Sequence, residues 1–314
     1  MLTILLLATT ATIAPLPASG TTVNTPAVAP VVAPYGPPTA AAAGGQLTIL
    51  ETAAAAGNFN TLAAALNAAD LVGALSGPGP FTVFAPTDAA FANVPPGRLA
   101  YLLNPINKDR LQTLLTYHVI GSSVDSSAVL SSPFLTTLSG QRAAIDAQAL
   151  TIDGAQISTT DIICSNGIIH VIDDVMFPEL RTVTGMAATT PDFSTLFTAL
   201  QVAGLDDDLE GAGPFTVFAP TNAAFAALPA GTLDALINDP NALGNVLLYH
   251  ATPGRLYAED VVAAGGFTML NNGTTSITTN ATGVFINNAQ ITVTDVEVWN
   301  GVIHVIDAVL VPGP

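Results

Sequence analysis

Four histidines are the residues of this chain best suited to chemistry. Histidine transfers protons near neutral pH, and its neutral ring binds metal ions. All four lie in motifs that occur twice, either directly after a tyrosine or inside the sequence IHVID. They are found in Tyr117-His118, in Tyr249-His250, and at His170 and His304. The repetition is informative, because a catalytic histidine normally occurs once per site and need not recur in an identical frame.

The surroundings of the histidines favour a structural role. Two histidines per copy could form a metal pair, but no Cys, Asp or Glu follows them at a familiar ligand spacing. His170 and Asp173 are three residues apart in a strand-like segment and therefore point to opposite faces. We interpret His118 and His250 as caps at helix C-termini, where the helix dipole favours a donor. His170 and His304 are then hydrogen-bonded strand residues in the interior.

The other reactive residues also have structural interpretations. Cys164 is the single cysteine, so no intramolecular disulfide is possible, and it is typical of a small buried apolar residue. An acidic run lacks the alternating spacing and the closing glutamate of an EF-hand calcium loop, which indicates a solvated helix end. This run comprises Asp206, Asp207, Asp208 and Glu210. No nucleophile elbow, phosphate loop, dinucleotide fingerprint or zinc-protease motif is present, so we predict no catalytic residue, no metal site and no cofactor.

The charge balance restricts the partners. The chain has 314 residues, of which 23 are acidic and 6 are basic, and its net charge is −17. A surface this acidic repels phosphate backbones, which excludes nucleic acid as a partner, and it disfavours anionic lipid. Apolar residues make up 50% of the chain, many of them alanine, and the mean hydropathy is +0.54. This composition is typical of a helix-rich globular protein.

The N-terminal region predicts export to a secreted, cell-surface or periplasmic location. Residues 1–19 contain an apolar run of signal-peptide length that is too short for a transmembrane span. Residues 20–45 are uncharged and rich in Pro, Ala and Thr, which is typical of an extended spacer. The chain ends directly after its last strand-like segment, so we expect no C-terminal lipid anchor and no integral membrane segment in the mature chain. Asn272 and Asn280 begin glycosylation sequons, which matter in a eukaryote and are coincidental in a bacterium.

The elements that must position these residues are themselves repeated. The stretch FTVFAPTDAAF, beginning at Phe81, returns 134 residues later as FTVFAPTNAAF, beginning at Phe215. Each copy alternates like a short strand and ends at a proline, which cannot donate to a sheet ladder. The threonine that follows can cap a helix by accepting a backbone N–H from its first turn. These prolines and threonines are Pro86, Thr87, Pro220 and Thr221.

Each copy closes on a predicted β-hairpin, after a leucine-rich helical segment that ends in Tyr-His. Two β-branched runs are separated by Asn-Gly in both copies, at Asn166-Gly167 and Asn300-Gly301. Asn-Gly tolerates the positive φ angles that tight hairpin turns need. A period of 134 residues indicates tandem whole domains, which we place at 46–180 and 181–314.

Together these motifs resemble the fasciclin domain, in tandem. Three pieces coincide in order, twice: FTVFAPT followed by Asp or Asn, Tyr-His after a leucine-rich helix, and G(I/V)IHVID. The resemblance covers about residues 46–179 and 182–313. It implies an α+β fold in which each domain is a β-sandwich-like wedge of two sheets with a packed helical layer. It also implies an extracellular protein of cell adhesion and matrix interaction, with no general catalytic activity.

The resemblance also implies a binding region. In animal members the region around the Tyr-His motif has been linked to integrin binding, and the matching residues are Tyr117, His118, Tyr249 and His250. We therefore expect a non-catalytic adhesion protein that binds cell-surface, matrix or carbohydrate partners, with avidity from two linked modules. The alternative is a carrier of a lipid or small apolar ligand, with a pocket between sheet and helices. An enzyme built from unmatched residues is a third hypothesis, and the oligomeric state stays open.

Overall fold

The structure is a computed structural model that describes residues 45–211 and 213–313. The described chain divides into two units. The first unit holds residues 45–182 together with Glu297–Trp299, and the second holds 183–296 and 300–313. The predicted signal peptide at 1–19 and nearly all of the spacer predicted at 20–45 lie outside the described residues.

Helices form where apolar residues recur at helical spacing and a polar side chain caps the first turn. The first helix shows this clearly. Thr48 accepts the N–H of Glu51, whose carboxylate accepts the Thr48 N–H at 2.8 Å, and Gly57 ends the helix in the left-handed conformation. The helices are α1 (Ile49–Ala56), α2 (Asn60–Ala68), α3 (Val72–Leu75), α4 (Asp88–Asn93), α5 (Pro96–Leu102), α6 (Lys108–Tyr117), α7 (Ser126–Ser131), α8 (Val183–Thr189), α9 (Ser194–Ala203), α10 (Asp206–Glu210), α11 (Asn222–Ala226), α12 (Thr232–Ile237), α13 (Pro240–Leu248) and α14 (Ala258–Ala264). Two short 3₁₀ helices are Pro105–Asn107 and Pro191–Phe193.

The strands of the first unit form one hydrogen-bonded order, β2-β1-β7-β6-β5-β4-β3. The strand from the repeated motif, β1, pairs in parallel with β7 and antiparallel with β2. Phe81 lies opposite Gly167, and Phe84 lies opposite His170. These strands are β1 (Phe81–Pro86), β2 (Val119–Ile120), β3 (Phe134–Thr136), β4 (Arg142–Asp146), β5 (Thr151–Ile152), β6 (Ala155–Cys164) and β7 (Gly167–Ile172).

The second unit repeats the core of this arrangement in the order β10-β11-β12-β13-β8-β9. Phe215 on β8 lies opposite Gly301 on β13, in the same parallel register that Phe81 has in the first unit. The two copies of FTVFAPT therefore occupy matching surroundings. The strands are β8 (Phe215–Pro220), β9 (Ala251–Pro253), β10 (Ile277–Asn280), β11 (Gly283–Ile286), β12 (Ala289–Val298) and β13 (Gly301–Ile306).

The two faces of β1 serve two different cores, because successive side chains of a strand point to opposite sides. Val83 and Ala85 belong to a cluster built largely from α1–α6, whereas Phe84 belongs to a second cluster. The second cluster joins β1 and β7 to β4, β5, β6 and helix α7. Its buried members are Phe84, Tyr117, Ile120, Val129, Ala143, Ile152, Ala155, Ile157, Ile172 and Met176.

The predicted α+β class is confirmed, and the predicted two-sheet wedge is found in a modified form. The strands of the first unit are one continuous order, because β6 pairs with β5 through its first residues and with β7 through the rest. Irregular pairing between Ile157 and Ile162 interrupts β6, and bulges of this kind bend a sheet. Ala143 on β4 consequently shares a core with Phe84, although three strands separate β4 from β1.

Both predicted hairpins are present, and Gly167 has a positive φ of 155°, but the asparagines do not adopt the positive φ angles predicted for the turn. In the first unit the turn consists of Ser165 and Asn166, because Cys164 pairs with Gly167. Asn166 and Asn300 are not among the described residues with a positive φ angle. Within the described ranges, no helix has the length and apolar character that crossing a bilayer requires.

Candidate functional site

His118 lies at the end of α6 with both ring nitrogens bonded to the backbone. Nδ1 donates to the Leu114 carbonyl oxygen at 2.8 Å, and Nε2 accepts the Met176 N–H at 3.1 Å. A carbonyl oxygen only accepts, so these contacts place the proton on Nδ1. The ring thus ties the end of a helix to the segment that follows β7.

His250 makes the same pair of contacts in the second unit. Its Nδ1 donates to Val246 at 2.8 Å, and its Nε2 accepts the Leu310 N–H at 2.9 Å. The exposed fractions of His118 and His250 are 2% and 1%. Burial lowers the pKa of each imidazole to about 4, because a charged ring loses its hydration in the interior. At neutral pH both rings are uncharged and have no nitrogen left for a substrate or a metal.

The tyrosines of the two Tyr-His pairs are also internal. The Tyr117 hydroxyl lies 3.0 Å from the Arg142 carbonyl oxygen and contacts the carboxylate of Asp153. Tyr249 donates to the Thr274 carbonyl at 2.7 Å. Tyr117 and Tyr249 are 4% and 5% exposed. The four side chains that the family motif pointed to are therefore all buried in the folded domains.

One position in this network differs between the copies. In the first unit Asp153 meets the Tyr117 hydroxyl, and in the second Asn287 takes its place, donating from Nδ2 to the Tyr249 hydroxyl at 3.1 Å. Both residues have positive φ, 49° and 51°, a region that Asp and Asn adopt more readily than most residues. The tyrosine therefore anchors a tight turn in each copy, with a carboxylate in one and an amide in the other.

His170 and His304 are fully buried strand residues with the opposite tautomer. Nε2 of His170 donates to the Val124 carbonyl oxygen at 2.9 Å, and Nδ1 accepts the Asp161 N–H at 3.2 Å. His304 has the matching contacts with Leu256 and with Asp295. Burial lowers the pKa of both rings. Each ring also lies against a phenylalanine of the repeated motif.

These histidines hold an irregular stretch of the long strand in place. Asp161 and Asp295, whose N–H groups they accept, both have a φ of 60°, which is unusual for a strand residue. The Asp161 carboxylate accepts the Ser126 N–H at 2.8 Å, and Asp295 accepts the Ala258 N–H at 2.8 Å. The long strand is thus tied to the start of α7 in the first unit and of α14 in the second.

Ser126, Asp161 and His170 lie close together but do not form a nucleophilic triad. In such a triad the histidine accepts the serine proton, and the carboxylate orients the other ring nitrogen. Here the Ser126 hydroxyl donates to the Asp161 carboxylate, and both ring nitrogens of His170 are bonded to backbone groups. The second unit has Ala258 in place of the serine.

The repeated motif supplies two further polar connections. Thr87 accepts the Ala90 N–H at 3.2 Å, and Thr221 accepts that of Ala224 at the same distance, so each caps the helix that follows the strand. Pro86 and Pro220 are buried at the ends of β1 and β8. Phe81 and Phe215 are half-buried.

The residue after the capping threonine holds a neighbouring helix. Asp88 accepts the Thr61 N–H at 2.7 Å, which lowers the pKa of its carboxyl group to about 2. Asn222 accepts the Thr195 N–H at 2.9 Å in the second unit. Local sequence spacing does not reveal these contacts, because it does not show that another helix starts beside the two residues.

Sequence reasoning missed the role of the hairpin asparagine. Asn166 is 5% exposed, and its Oδ1 accepts the Ile49 N–H at 2.9 Å. Its Nδ2 donates to the carbonyl oxygens of Leu75 and Gly77, at 2.9 and 3.0 Å. One side chain therefore satisfies the start of α1, the end of α3 and the loop that leads into β1.

Asn300 repeats this arrangement, and the glycine after each asparagine is required by close packing. Asn300 accepts the Val183 N–H at 2.9 Å and donates to Leu209 and Gly211. A Cβ at Gly167 would lie 1.9 Å from the Phe81 carbonyl oxygen, and one at Gly301 would lie 2.0 Å from that of Phe215. Asn-Gly therefore combines a buried connector with a close backbone approach.

The remaining chemical candidates are also structural. Cys164 is buried, its thiol lies 3.3 Å from the Thr52 hydroxyl, and burial raises its pKa. The acidic run from Asp206 to Glu210 forms the short helix α10, with three of its four acidic residues exposed. Among residues 45–211 and 213–313, no group of three or more His, Cys, Asp or Glu residues could hold a metal ion.

An exposed apolar segment runs from the last turn of α5 to the 3₁₀ helix that precedes α6. Tyr101, Leu103 and Ile106 are 47%, 39% and 86% exposed. Asn107 closes the segment by donating to the Tyr101 carbonyl oxygen at 2.7 Å. We call this segment, with its exposed side chains Tyr101, Leu103 and Ile106, the exposed loop; Leu102 within it is buried. Three of the six basic residues of the chain flank it, namely Arg98, Lys108 and Arg110.

Comparison with known protein families decides the identity of the two units. A model of the fasciclin domain matches the chain twice, over residues 57–178 and 191–312. The chain belongs to the fasciclin domain family. This confirms the resemblance and the tandem order expected from the motifs, and the buried residues described above are internal connections of two fasciclin domains.

Similar fasciclin proteins come from animals and bacteria. Transforming growth factor-beta-induced protein ig-h3 of Sus scrofa is 32% identical over 76% of this chain and 35% of its own length. Protein sll1483 of Synechocystis sp. is 44% identical over 45% of this chain and 78% of its own. Human periostin is 29% identical over 77% of this chain and 28% of its own. The chain thus spans about a third of the length of the ig-h3 protein.

A solved structure of a domain pair from the insect cell adhesion molecule fasciclin I matches with a TM-score of 0.36 and 17% sequence identity. The match covers 79% of this chain and 92% of that one.

Proposed function

We propose that this chain is a non-catalytic interaction protein that mediates adhesion through its tandem fasciclin domains. It acts outside the cytoplasm, either secreted, at the cell surface or in the periplasm. Its partners are cell-surface or matrix proteins or carbohydrate. The four histidines support a non-catalytic role, because all eight ring nitrogens are engaged by backbone groups.

The observation that carries the proposal is the exposed loop of the first domain. Ile106 is the most exposed of the large apolar residues described, at 86%, and Tyr101 presents an aromatic ring at 47%. Clusters of exposed apolar side chains mark interaction sites, and tyrosine and arginine are enriched at binding hot spots. The loop also carries basic neighbours in a chain of net charge −17, which favours a partner with acidic groups.

Nearby contacts define which basic groups are available. The Arg98 guanidinium lies 3.5 Å from the centre of the Phe177 ring, and Lys108 is paired with Asp70. Arg110 is exposed. We therefore assign Arg110 as the basic group that meets an acidic group of the partner, beside the apolar contacts of Tyr101 and Ile106.

The test is binding of the full chain to a panel of matrix proteins and glycans, measured by surface plasmon resonance. Ile106→Ser and Tyr101→Ala should each weaken the strongest interaction by about ten-fold or more, as hot-spot substitutions do. Val311→Ser is the matched control, because Val311 is 61% exposed and lies outside the loop. Equal affinity of all three variants and the unmodified chain would overturn the assignment of the loop.

The second candidate is a carrier of a small apolar ligand, and the cavity considered for it lies at the hairpin tip rather than between sheet and helices. The cavity has a volume of about 290 Å³, is lined by Pro78, Pro80, Ile163 and residues of the β6–β7 turn, and lies at the tip of the hairpin. Ligand pockets usually hold about 300–1,000 Å³, so only a small ligand would fit. An apolar fluorescent probe should bind the full chain, and Ile163→Asp should abolish that binding, if the carrier hypothesis holds.

A further inference from the structure

Three Asn-Gly pairs in this chain share one chemistry and differ in their surroundings. They are Asn166-Gly167, Asn272-Gly273 and Asn300-Gly301. In such a pair the glycine nitrogen can attack the asparagine side-chain carbon, because glycine has no side chain to obstruct the approach. The attack needs a free asparagine side chain that can rotate toward the next peptide nitrogen.

Two of the three pairs are held against this reaction. Asn166 and Asn300 are 5% and 1% exposed, and each side chain makes three hydrogen bonds to distant backbone groups. Ring closure would require all three bonds to break inside the core. In these pairs the reaction therefore needs the opening of a large part of the domain.

Asn272 is in the opposite situation. It is exposed, lies in the left-handed region with a φ of 65°, and its side chain makes none of the hydrogen bonds found among the described residues. The N–H of Gly273, which supplies the attacking nitrogen, donates to Oδ1 of Asn271 at 2.9 Å. Opening of this one part-buried contact frees the nitrogen.

We propose that Asn272 is a site of deamidation in the folded protein. The Gly273 nitrogen forms a bond to Cγ of Asn272 as the Cγ–Nδ2 bond breaks, and the amide leaves as ammonia with the proton from the Gly273 N–H. Water then opens the resulting succinimide at either carbonyl and yields aspartate or isoaspartate. The step needs only water and proceeds without an oxidant or an enzyme.

The position of Asn272 gives this modification a structural consequence. Gly273 accepts the Met269 N–H at 2.8 Å, and the next carbonyl, of Thr274, accepts the Tyr249 hydroxyl at 2.7 Å. Isoaspartate adds a methylene group to the backbone between Asn272 and Gly273, which displaces these contacts. The buried Tyr249 network of the second domain then loses its carbonyl partner.

The experiment incubates the folded full chain at mildly alkaline pH and maps peptides by mass spectrometry. Aspartate and isoaspartate should accumulate at Asn272 on the order of a thousand-fold faster than at Asn166 or Asn300, given the stability of a typical domain. In urea the three sites should react at similar rates. Comparable rates at all three sites in the folded chain, or a slower rate at Asn272, would overturn the proposal.

A variant without the reactive amide tests whether deamidation at Asn272 lowers the unfolding temperature. Asn272→Gly accommodates the positive φ and removes the reactive amide, so the incubated variant should keep its unfolding temperature while the incubated unmodified chain loses several degrees. An equal loss in both would overturn the structural consequence. Deamidation of Asn272 without any change in unfolding temperature would support the site but contradict its effect on the Tyr249 network.

Discussion

Nδ2 of Asn166 lies 2.9 Å from the carbonyl oxygen of Leu75, although 91 residues separate them in the chain. The same bond joins Asn300 to Leu209 at 2.8 Å, over an equal separation. In both domains the turn of the closing hairpin therefore completes the end of an early helix. Since the last strands to be synthesised satisfy groups of the first helices, each domain depends on its own C-terminal hairpin.

Replacement of the connecting asparagine should destabilise its domain. Asn166→Ala leaves the Ile49 N–H and the carbonyls of Leu75 and Gly77 without this partner, so we expect a loss of roughly 3 kcal/mol in the free energy of unfolding, measured with urea. Asn67→Ala is the control, because Asn67 is exposed and bonds only within α2. It should change stability by less than about 0.5 kcal/mol. Equal losses would contradict the connector role.

Two glycines of the second domain should respond to alanine in opposite directions. Gly301→Ala places a Cβ 2.0 Å from the Phe215 carbonyl oxygen and should cost about 3 kcal/mol. Gly244 lies inside helix α13 with no atom within 4 Å of an added Cβ. Gly244→Ala should therefore stabilise the helix by about 1 kcal/mol. Thermal unfolding of both variants measures their stability relative to the unmodified chain. A Gly301→Ala variant of unchanged stability would contradict the close contact between Gly301 and the Phe215 carbonyl oxygen.

Acid should weaken the fold in a defined pH window. The pKa of His118 and of His250 is about 4 in the folded protein, below the ordinary value near 6.5, so the unfolded chain binds more protons between these values. The contribution of each neutral ring to the free energy of unfolding is complete above pH 6.5. It is lost, by up to about 3 kcal/mol for each ring, as the pH falls toward 4. His170 and His304 shift in the same direction.

Urea denaturation near pH 7 and near pH 4.5 measures this loss. The double variant His118→Gln, His250→Gln should be less stable at pH 7 and should show a flatter pH dependence. Asp88 changes its contribution mainly below this window, because its pKa is about 2 in the folded chain against an ordinary value of 3.8, whereas burial raises the pKa of Asp153, which opposes the loss. An unmodified chain that is equally stable at both pH values would contradict the buried neutral state of the rings.

The helix cap of the repeated motif should make a small but measurable contribution to the free energy of unfolding. Thr87→Ala removes the hydroxyl that accepts the Ala90 N–H and should cost about 1 kcal/mol. Thr87→Ser keeps a hydroxyl and should stay close to the unmodified stability. The comparison isolates the hydrogen bond, and identical stabilities of the Ala and Ser variants would show that the hydroxyl contributes nothing.

The domain boundaries remain a prediction. We propose that residues 46–180 and 181–314 are separate folding domains. Residues 46–180 expressed alone should unfold in one cooperative transition, followed by circular dichroism. A product without cooperative unfolding would indicate that the first domain needs the rest of the chain.

Local sequence patterns predicted the elements of each domain well. The alternation of FTVFAPT, the capping threonine and the two β-branched runs around Asn-Gly all appear as the expected strand, helix start and hairpin. These signals are reliable because each depends on residues a few positions apart. The same locality explains the error at Asn166-Gly167, where a turn conformation was inferred from a dipeptide that is in fact selected by contacts with Phe81 and Leu75.

The amino-acid sequence by itself determined that two copies of one α+β domain follow each other, because the repeated motifs share order and spacing. Only the tertiary structure decided that the Tyr-His side chains face inward and that Tyr101 and Ile106 of the exposed loop are accessible. Periodicity shows which residues share a face of one element. It does not show which residues pack over that face. Tyr117 and His118 are hydrogen-bonded to Arg142 and Met176, which lie 25 and 58 positions away in the chain.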